Sequence, residues 1–304
     1  MDMKRPSPLQ SNDKAVIVSP AGRIEESLVT KALSVLRQWG LIAEASENAL
    51  CRTGRFSGFV EQRLSDLQQA FNDPDVRLIV CSRGGYGVIH LLDKLDFTAI
   101  KQNPKWIVGY SDITALHAAL QINGIQSVHG PMAKHFSEEG AEDVAVRYTK
   151  SILAGQPIKY QVTVARNHYL NRNGRASGGL FGGNLSVFCG LLGTKYAKIP
   201  RNGILFIEDI GEAPYKVDRM IYQLKLAGVF EKIGGLVVGQ FTDYEEDNEM
   251  YATLYESILN AVREYDFPIC FDFPVGHVAL NFPLIMGART QLHVKKDEIV
   301  LKQN

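Results

Sequence analysis

The chain has no pair of cysteines close in sequence. Its four, Cys51, Cys81, Cys189 and Cys270, stand far apart, and no C-x-x-C occurs. That spacing argues against a zinc site and a disulfide framework, and it fits a reducing compartment. Long apolar runs are missing too. The first, residues 15–18, follows a polar start and is far shorter than the roughly 18 residues of a membrane span. No membrane partner is expected, and the cytoplasm is the expected location. Neither sign of charge is in excess, because Lys+Arg 33 balances Asp+Glu 33 and no block of one sign appears. A nucleic-acid backbone is therefore an unsuitable main partner. There is no H-E-x-x-H and no Asp-rich calcium loop, so no metal is expected. From Gly85 the chain reads G-x-G-x-x-His90, without the third glycine of the dinucleotide fingerprint, so no cofactor is expected either. Internal repeats and low-complexity tracts are absent.

What remains is an ordinary globular composition, 45% hydrophobic and 22% charged over 304 residues, enough chain for two domains. The first half alternates short apolar runs with helical patterns. Residues 15–19 end at the turn Pro20-Ala21-Gly22, and a helical stretch covers 25–38. Residues 59–71 read as an amphipathic helix with Leu64, Leu67 and Phe71 on its apolar face, stopped by Asp73-Pro74. Buried strands are expected at 76–81, 105–108 and 127–129, with a helix at 113–120. Alternating strands and helices predict an α/β fold, with an N-terminal flavodoxin- or Rossmann-like parallel sheet covered by helices on both faces. The stretch from about 137 to 175 is turn-rich and more polar. We place an N-terminal domain at 1–150, a linker at 151–172 and a β-rich α/β domain at 173–304. In the latter, strands are expected at 204–207, 235–239 and 291–294, and helices at 217–227 and 250–264.

Ligands of open parallel sheets bind at the carboxyl ends of the strands. Three loops there are unusually polar or glycine-rich: residues 83–87, 109–112 and 129–131. Ser111 lies between a strand and a helix, where a sharp turn would lift its hydroxyl to the sheet edge, as in a nucleophile elbow. The N–H of Asp112 would then face a developing oxyanion at a helix N-terminus. The turn Gly109-Tyr110-Ser111-Asp112-Ile113 lacks the second glycine of G-x-S-x-G, and taken alone it favours Ser111 as a helix N-cap. Gly84-Gly85-Tyr86-Gly87 is a tight turn, or a set of N–H groups aimed at an anion. A nucleophilic serine needs a base. His117, six residues further along the same helix, is out of reach, whereas His129 and His277 both remain candidates by spacing. An orienting carboxylate could come from Glu208 or Asp209, which point to opposite faces at a strand end.

In order along the chain, several segments resemble the LD-carboxypeptidases, the cytoplasmic serine peptidases that recycle murein peptides. They are Ala21-Gly22, residues 64–76, Arg83-Gly84-Gly85-Tyr86-Gly87, Gly109-Tyr110-Ser111-Asp112 and His129-Gly130-Pro131. Further on come residues 178–184, Ile207-Glu208-Asp209 with Glu212-Ala213-Pro214-Tyr215, and Gly276-His277. The resemblance implies Ser111 as nucleophile, His277 as base and Glu208 as its orienting carboxylate. It implies the backbone N–H groups of Asp112 and Gly85 as oxyanion donors. It places the nucleophile in one domain and the other two residues in the second, with the site in the cleft between. Arg83, with Gly84 and Tyr86, would contact substrate, the guanidinium suiting a substrate carboxylate. The implied substrate is a murein tetrapeptide losing its terminal D-alanine, and the implied assembly is a homodimer. Two other readings use the same residues. One is an amide hydrolase that inactivates microcin-like peptide-nucleotide antibiotics, against which the lack of a long insertion between the halves argues. The other is a non-catalytic binder of small peptides, with Ser111 as a cap.

Overall fold

The computed structural model describes residues 3–163 and 168–303. The chain forms two compact units, Met1–Gln156 with Phe282–Gly287, and Pro157–Asn281 with Ala288–Asn304.

The first unit runs β1 (Lys14–Val18), α1 (Glu26–Gln38), β2 (Ile42–Ala45), α2 (Val60–Asn72), β3 (Val76–Cys81), α3 (Thr98–Gln102), β4 (Trp106–Gly109), α4 (Thr114–Ile122), β5 (Ser127–His129), α5 (Ala133–Glu139) and α6 (Val144–Leu153). Its sheet has the order β11-β5-β4-β3-β1-β2, where β11 (Leu284–Met286) is added antiparallel by the returning chain. The other five strands are parallel and in the flavodoxin order, so the expected fold class holds. The central strands β3 and β4 are apolar and buried along almost their whole length, as strands covered on both faces must be. In that order the direction of winding reverses between β1 and β3, and the loops after those strands flank the resulting crevice.

One expected detail of this unit is corrected. The buried face of α2 carries Arg63, Asp66, Leu67, Ala70 and Phe71, so it is turned away from Leu64 and includes two charged residues. Gln62 starts the helix by accepting the N–H of Phe59 at 2.9 Å.

The second unit contains β6 (Ile158–Thr163), β7 (Gly174–Asn184), α7 (Leu185–Gly190), β8 (Gly203–Ile210), α8 (Pro214–Leu226), β9 (Ile233–Thr242), α9 (Leu254–Ala261), β10 (Ile269–Cys270), β12 (Arg289–Lys295) and β13 (Glu298–Gln303). Its sheet order is β10-β9-β8-β7-β12-β13-β6. The β10-to-β7 half is parallel and the β7-to-β6 half antiparallel. Phe181, Leu205, Ile207, Leu236, Val238 and Ile258 belong to its main apolar core. The helix expected over 250–264 is shorter, because Thr253 caps it through a reciprocal box with Glu256.

The span expected as a linker, 151–172, instead holds the end of α6 and the edge strand β6, while its residues 164–167 lie outside those described. Strand β6 alternates buried Ile158 and Tyr160 with polar outward residues, so half of it reads as polar connection. Among the described residues no helix is long and apolar enough to cross a membrane.

Candidate active site

In the first unit, β4 ends at Gly109, Tyr110 is extended, and Ser111 opens a 3-10 turn, Ser111–Ile113, that runs into α4. Ser111 has φ +64°, a left-handed conformation that costs a non-glycine residue of order 1–2 kcal/mol. Neither the turn nor α4 has a side-chain cap, and within its own unit the Ser111 hydroxyl makes no hydrogen bond among the described residues. The simple N-cap reading therefore fails, and the strain is left for another purpose to explain.

The loop after β3 lies against this turn. A Cβ added at Gly84 would stand 2.7 Å from Ser111 Cβ and 2.9 Å from its Oγ, so only glycine allows the approach. Gly84 O accepts the N–H of Gly22 at 3.1 Å, which ties the β1 and β3 loops together. The Asp112 carboxylate reaches back and accepts the N–H of Val88 at 2.9 Å. Burial pushes the Asp112 acid up to about 6, and the N–H groups of Val88 and Gly87 and the charge of Arg63 offset part of that. Tyr86 is exposed, its ring 5.9 Å from Phe56 and 5.2 Å from His90. Arg83 donates to the carbonyl of Arg23 at 3.3 Å. His129, one of the two histidines left open by spacing, pairs in register with Gly109 and is fully buried, its ring 5.9 Å from that of Tyr110. Such a position shuts it away from solvent.

In the second unit, Glu208 and Asp209 end β8, and their roles separate as alternate faces require. Asp209 turns to the start of α7. It accepts from Asn184 Nδ2 at 2.8 Å and from the N–H of Ser186 at 2.9 Å. Burial, with the neighbouring Glu208 charge adding, raises its acid to about 6. Glu208 sits where the pairing of β8 with β9 shifts register between Ile207 and Asp209, a local irregularity that re-aims a side chain. Fully buried, it places Oε2 at 2.8 Å from His277 Nδ1. The imidazole keeps 15% of its side-chain surface exposed. Its loop is held by Gly276, whose N–H donates to Asn281 Oδ1 at 3.0 Å. A carboxylate on Nδ1 fixes the tautomer and leaves Nε2 to accept a proton.

Two participants were not expected from sequence. One is the Asp112 carboxylate, singled out only for its backbone. The other is Arg63, 2% exposed, which donates to Pro20 O at 2.8 Å and Gly87 O at 2.9 Å. A signal for Arg63 was available, since it lies four residues before the buried Leu67 on one helix face.

Comparison with known proteins gives the family and the fold. The LD-carboxypeptidase N-terminal domain family matches residues 16–130, and the C-terminal domain family matches residues 177–292. The murein tetrapeptide carboxypeptidase of Pseudomonas aeruginosa is 30% identical, over 88% of this chain and 89% of its own. The crystal structure of a muramoyltetrapeptide carboxypeptidase from Oxalobacter formigenes superposes with a TM-score of 0.86 at 28% identity, covering 96% of this chain and 98% of that one. The microcin C7 self immunity protein, solved with aspartyl sulfamoyl adenosine, shares the fold, with a TM-score of 0.86 at 22% identity over 98% of both chains. The chain belongs to the LD-carboxypeptidase family and is a serine carboxypeptidase.

Proposed function

We propose that the protein releases the terminal D-alanine of murein tetrapeptides in the cytoplasm, returning wall peptides to use, with Ser111, His277 and Glu208 as its catalytic residues. The observation that carries the reading is Ser111 itself, held at φ +64° on the rim of a parallel sheet with its hydroxyl uncommitted within its unit. The names of the relatives support the substrate. The four cysteines, all free thiols, are in keeping with a reducing compartment.

The chemistry is acyl transfer in two steps. Ser111 Oγ attacks the carbonyl of the L-centre of the third residue, and His277 Nε2 takes the hydroxyl proton. Glu208 holds the imidazole and balances its charge. The oxyanion faces the N–H groups of Asp112 and Gly85. As the C–N bond breaks, His277 passes the proton to the departing D-alanine nitrogen. Water then enters and attacks the acyl carbonyl as it gives a proton to His277, and His277 returns that proton to Ser111 Oγ as the ester bond breaks. Arg83 pairs with the terminal carboxylate of the substrate.

Incubation of the purified protein with a murein tetrapeptide should release D-alanine, and Ser111→Ala should lower kcat by about 10⁴- to 10⁶-fold. Near wild-type release by Ser111→Ala would remove the serine from the mechanism. An aminoacyl-nucleotide amide offered in parallel separates the substrate readings. Faster cleavage of that amide than of the tetrapeptide would turn the assignment to antibiotic inactivation.

A further inference from the structure

We infer that the side chains of Asp112 and Arg63 form a buried clamp that positions the Gly85 and Asp112 amides against Ser111. The inference rests on the proposed serine mechanism and adds to it two positioning residues.

Asp112 has two jobs to reconcile. Its own N–H follows the serine, and its carboxylate bonds backward to the loop after the neighbouring strand β3, at the N–H groups of Val88, at 2.9 Å, and Gly87. The carbonyl of the same Gly87 receives Arg63 Nη1 at 2.9 Å, and that nitrogen also holds Pro20 O at 2.8 Å. Gly84 O, at the other end of the loop, is held by Gly22 N–H at 3.1 Å. Residues 84–88 are thus hung from β1, α2 and the Ser111 turn together. Within the unit, the N–H groups of Gly85 and Asp112 make no hydrogen bond to a described residue, so the clamp holds the loop by its other groups and leaves these two amides open.

Asp112 and Arg63 are 4% and 2% exposed, and burial works against the charged form of each. Two buried charges that bond to backbone groups rather than to each other add little net stability, because desolvation offsets what they gain. Positional control over a loop whose small displacement would misplace an oxyanion donor is what such a pair supplies.

Asp112→Asn keeps the size and one acceptor but removes the charge and the second strong acceptor. Arg63→Lys keeps the charge but ends in a shorter side chain with a differently directed donor group, so it cannot hold both carbonyls from the place Nη1 occupies. We expect kcat to fall by about 10- to 100-fold in each, with KM within about threefold, since one misplaced oxyanion donor costs of that order. A boronic acid that forms a tetrahedral adduct on the serine should lose affinity by the same factor. Substrate affinity measured on a Ser111→Ala background should not change when Asp112→Asn is added. A variant with lowered Tm but kcat and boronate affinity within twofold of wild type would reduce the pair to a structural role and overturn the clamp. If Asp112→Asn does not fold, Arg63→Lys carries the same test. Retained activity in Ser111→Ala would instead overturn the serine reading, so the two failures are distinguishable.

Discussion

A buried imidazole beneath the end of β4 shows how tightly single residues are specified. His117 Nε2 lies 2.8 Å from Gly109 O, which can only accept, and Nδ1 lies 2.8 Å from Ser127 Oγ. The neutral ring with its proton on Nε2 therefore satisfies both bonds, and burial holds the pKa down to about 4. In the unfolded chain the same ring titrates near 6.5. The folded-state value is depressed, so the stability tied to this group is complete above about pH 6.5 and is lost as pH falls toward 4. Between about pH 7 and pH 5 the loss amounts to about 2 kcal/mol. Urea unfolding at those two values should show wild type losing about that much more than His117→Gln. Equal losses would mean that folding does not hold the His117 proton uptake down over this range. At this scale the sequence exposed Ser111 as a residue between strand and helix, but not its backbone angle. It could not divide Glu208 from Asp209, since both end the same strand and only the folded loop at 276–277 distinguishes them. His277 and Glu208 came from family resemblance. Their bond depends on chain segments 69 residues apart, beyond what local pattern encodes.

Among the elements, the loop carrying His277 depends on one glycine. Gly276 has φ +125°, and an added Cβ would lie 2.9 Å from both Glu208 Cβ and Oε2 and 3.1 Å from Gln240 O. No side chain fits there without moving the carboxylate that meets His277. Gly193 makes the matching control, because it too has positive φ, +83°, but open space around it. Gly193→Ala should cost roughly 1 kcal/mol of stability from backbone strain and leave kcat unchanged. Gly276→Ala should lower kcat by at least about 100-fold while far-ultraviolet circular dichroism stays native, since the orienting carboxylate of a triad is worth up to about 10⁴. Equal activity in the two variants would show that the imidazole does not need its carboxylate fixed in this place. Elements with continuous apolar runs, such as β3, β4 and β8, were legible because full burial writes itself into composition. β6 and β13 were not, since half of each faces outward, and β2 and β11 are too short to show any period.

For the whole molecule, the connectivity sets a constraint that a simple division into an N-terminal and a C-terminal half hides. The chain leaves the first unit after Gln156, returns for Phe282–Gly287, and closes the second unit with its last residues. That return is a three-residue strand, with no sequence signal to mark it. A chain ending at Gly287 keeps every strand of the first sheet, including β11, but lacks β12 and β13. The second sheet then loses its link between β7 and β6, together with Leu292, Val294, Ile299 and Leu301, each at most 1% exposed. At roughly 1.5–3 kcal/mol for each buried side chain, the loss is comparable with the entire 5–15 kcal/mol that stabilises an ordinary domain. Hydrogen exchange of the truncated protein should therefore show β8 and β9 stripped of protection, while β1, β3 and β4 keep theirs. Protection lost equally in both sheets would mean that the first unit cannot hold its fold without the second. Protection kept in β8 and β9 would mean that the parallel half of the second sheet and its helices form a sufficient core without the antiparallel half.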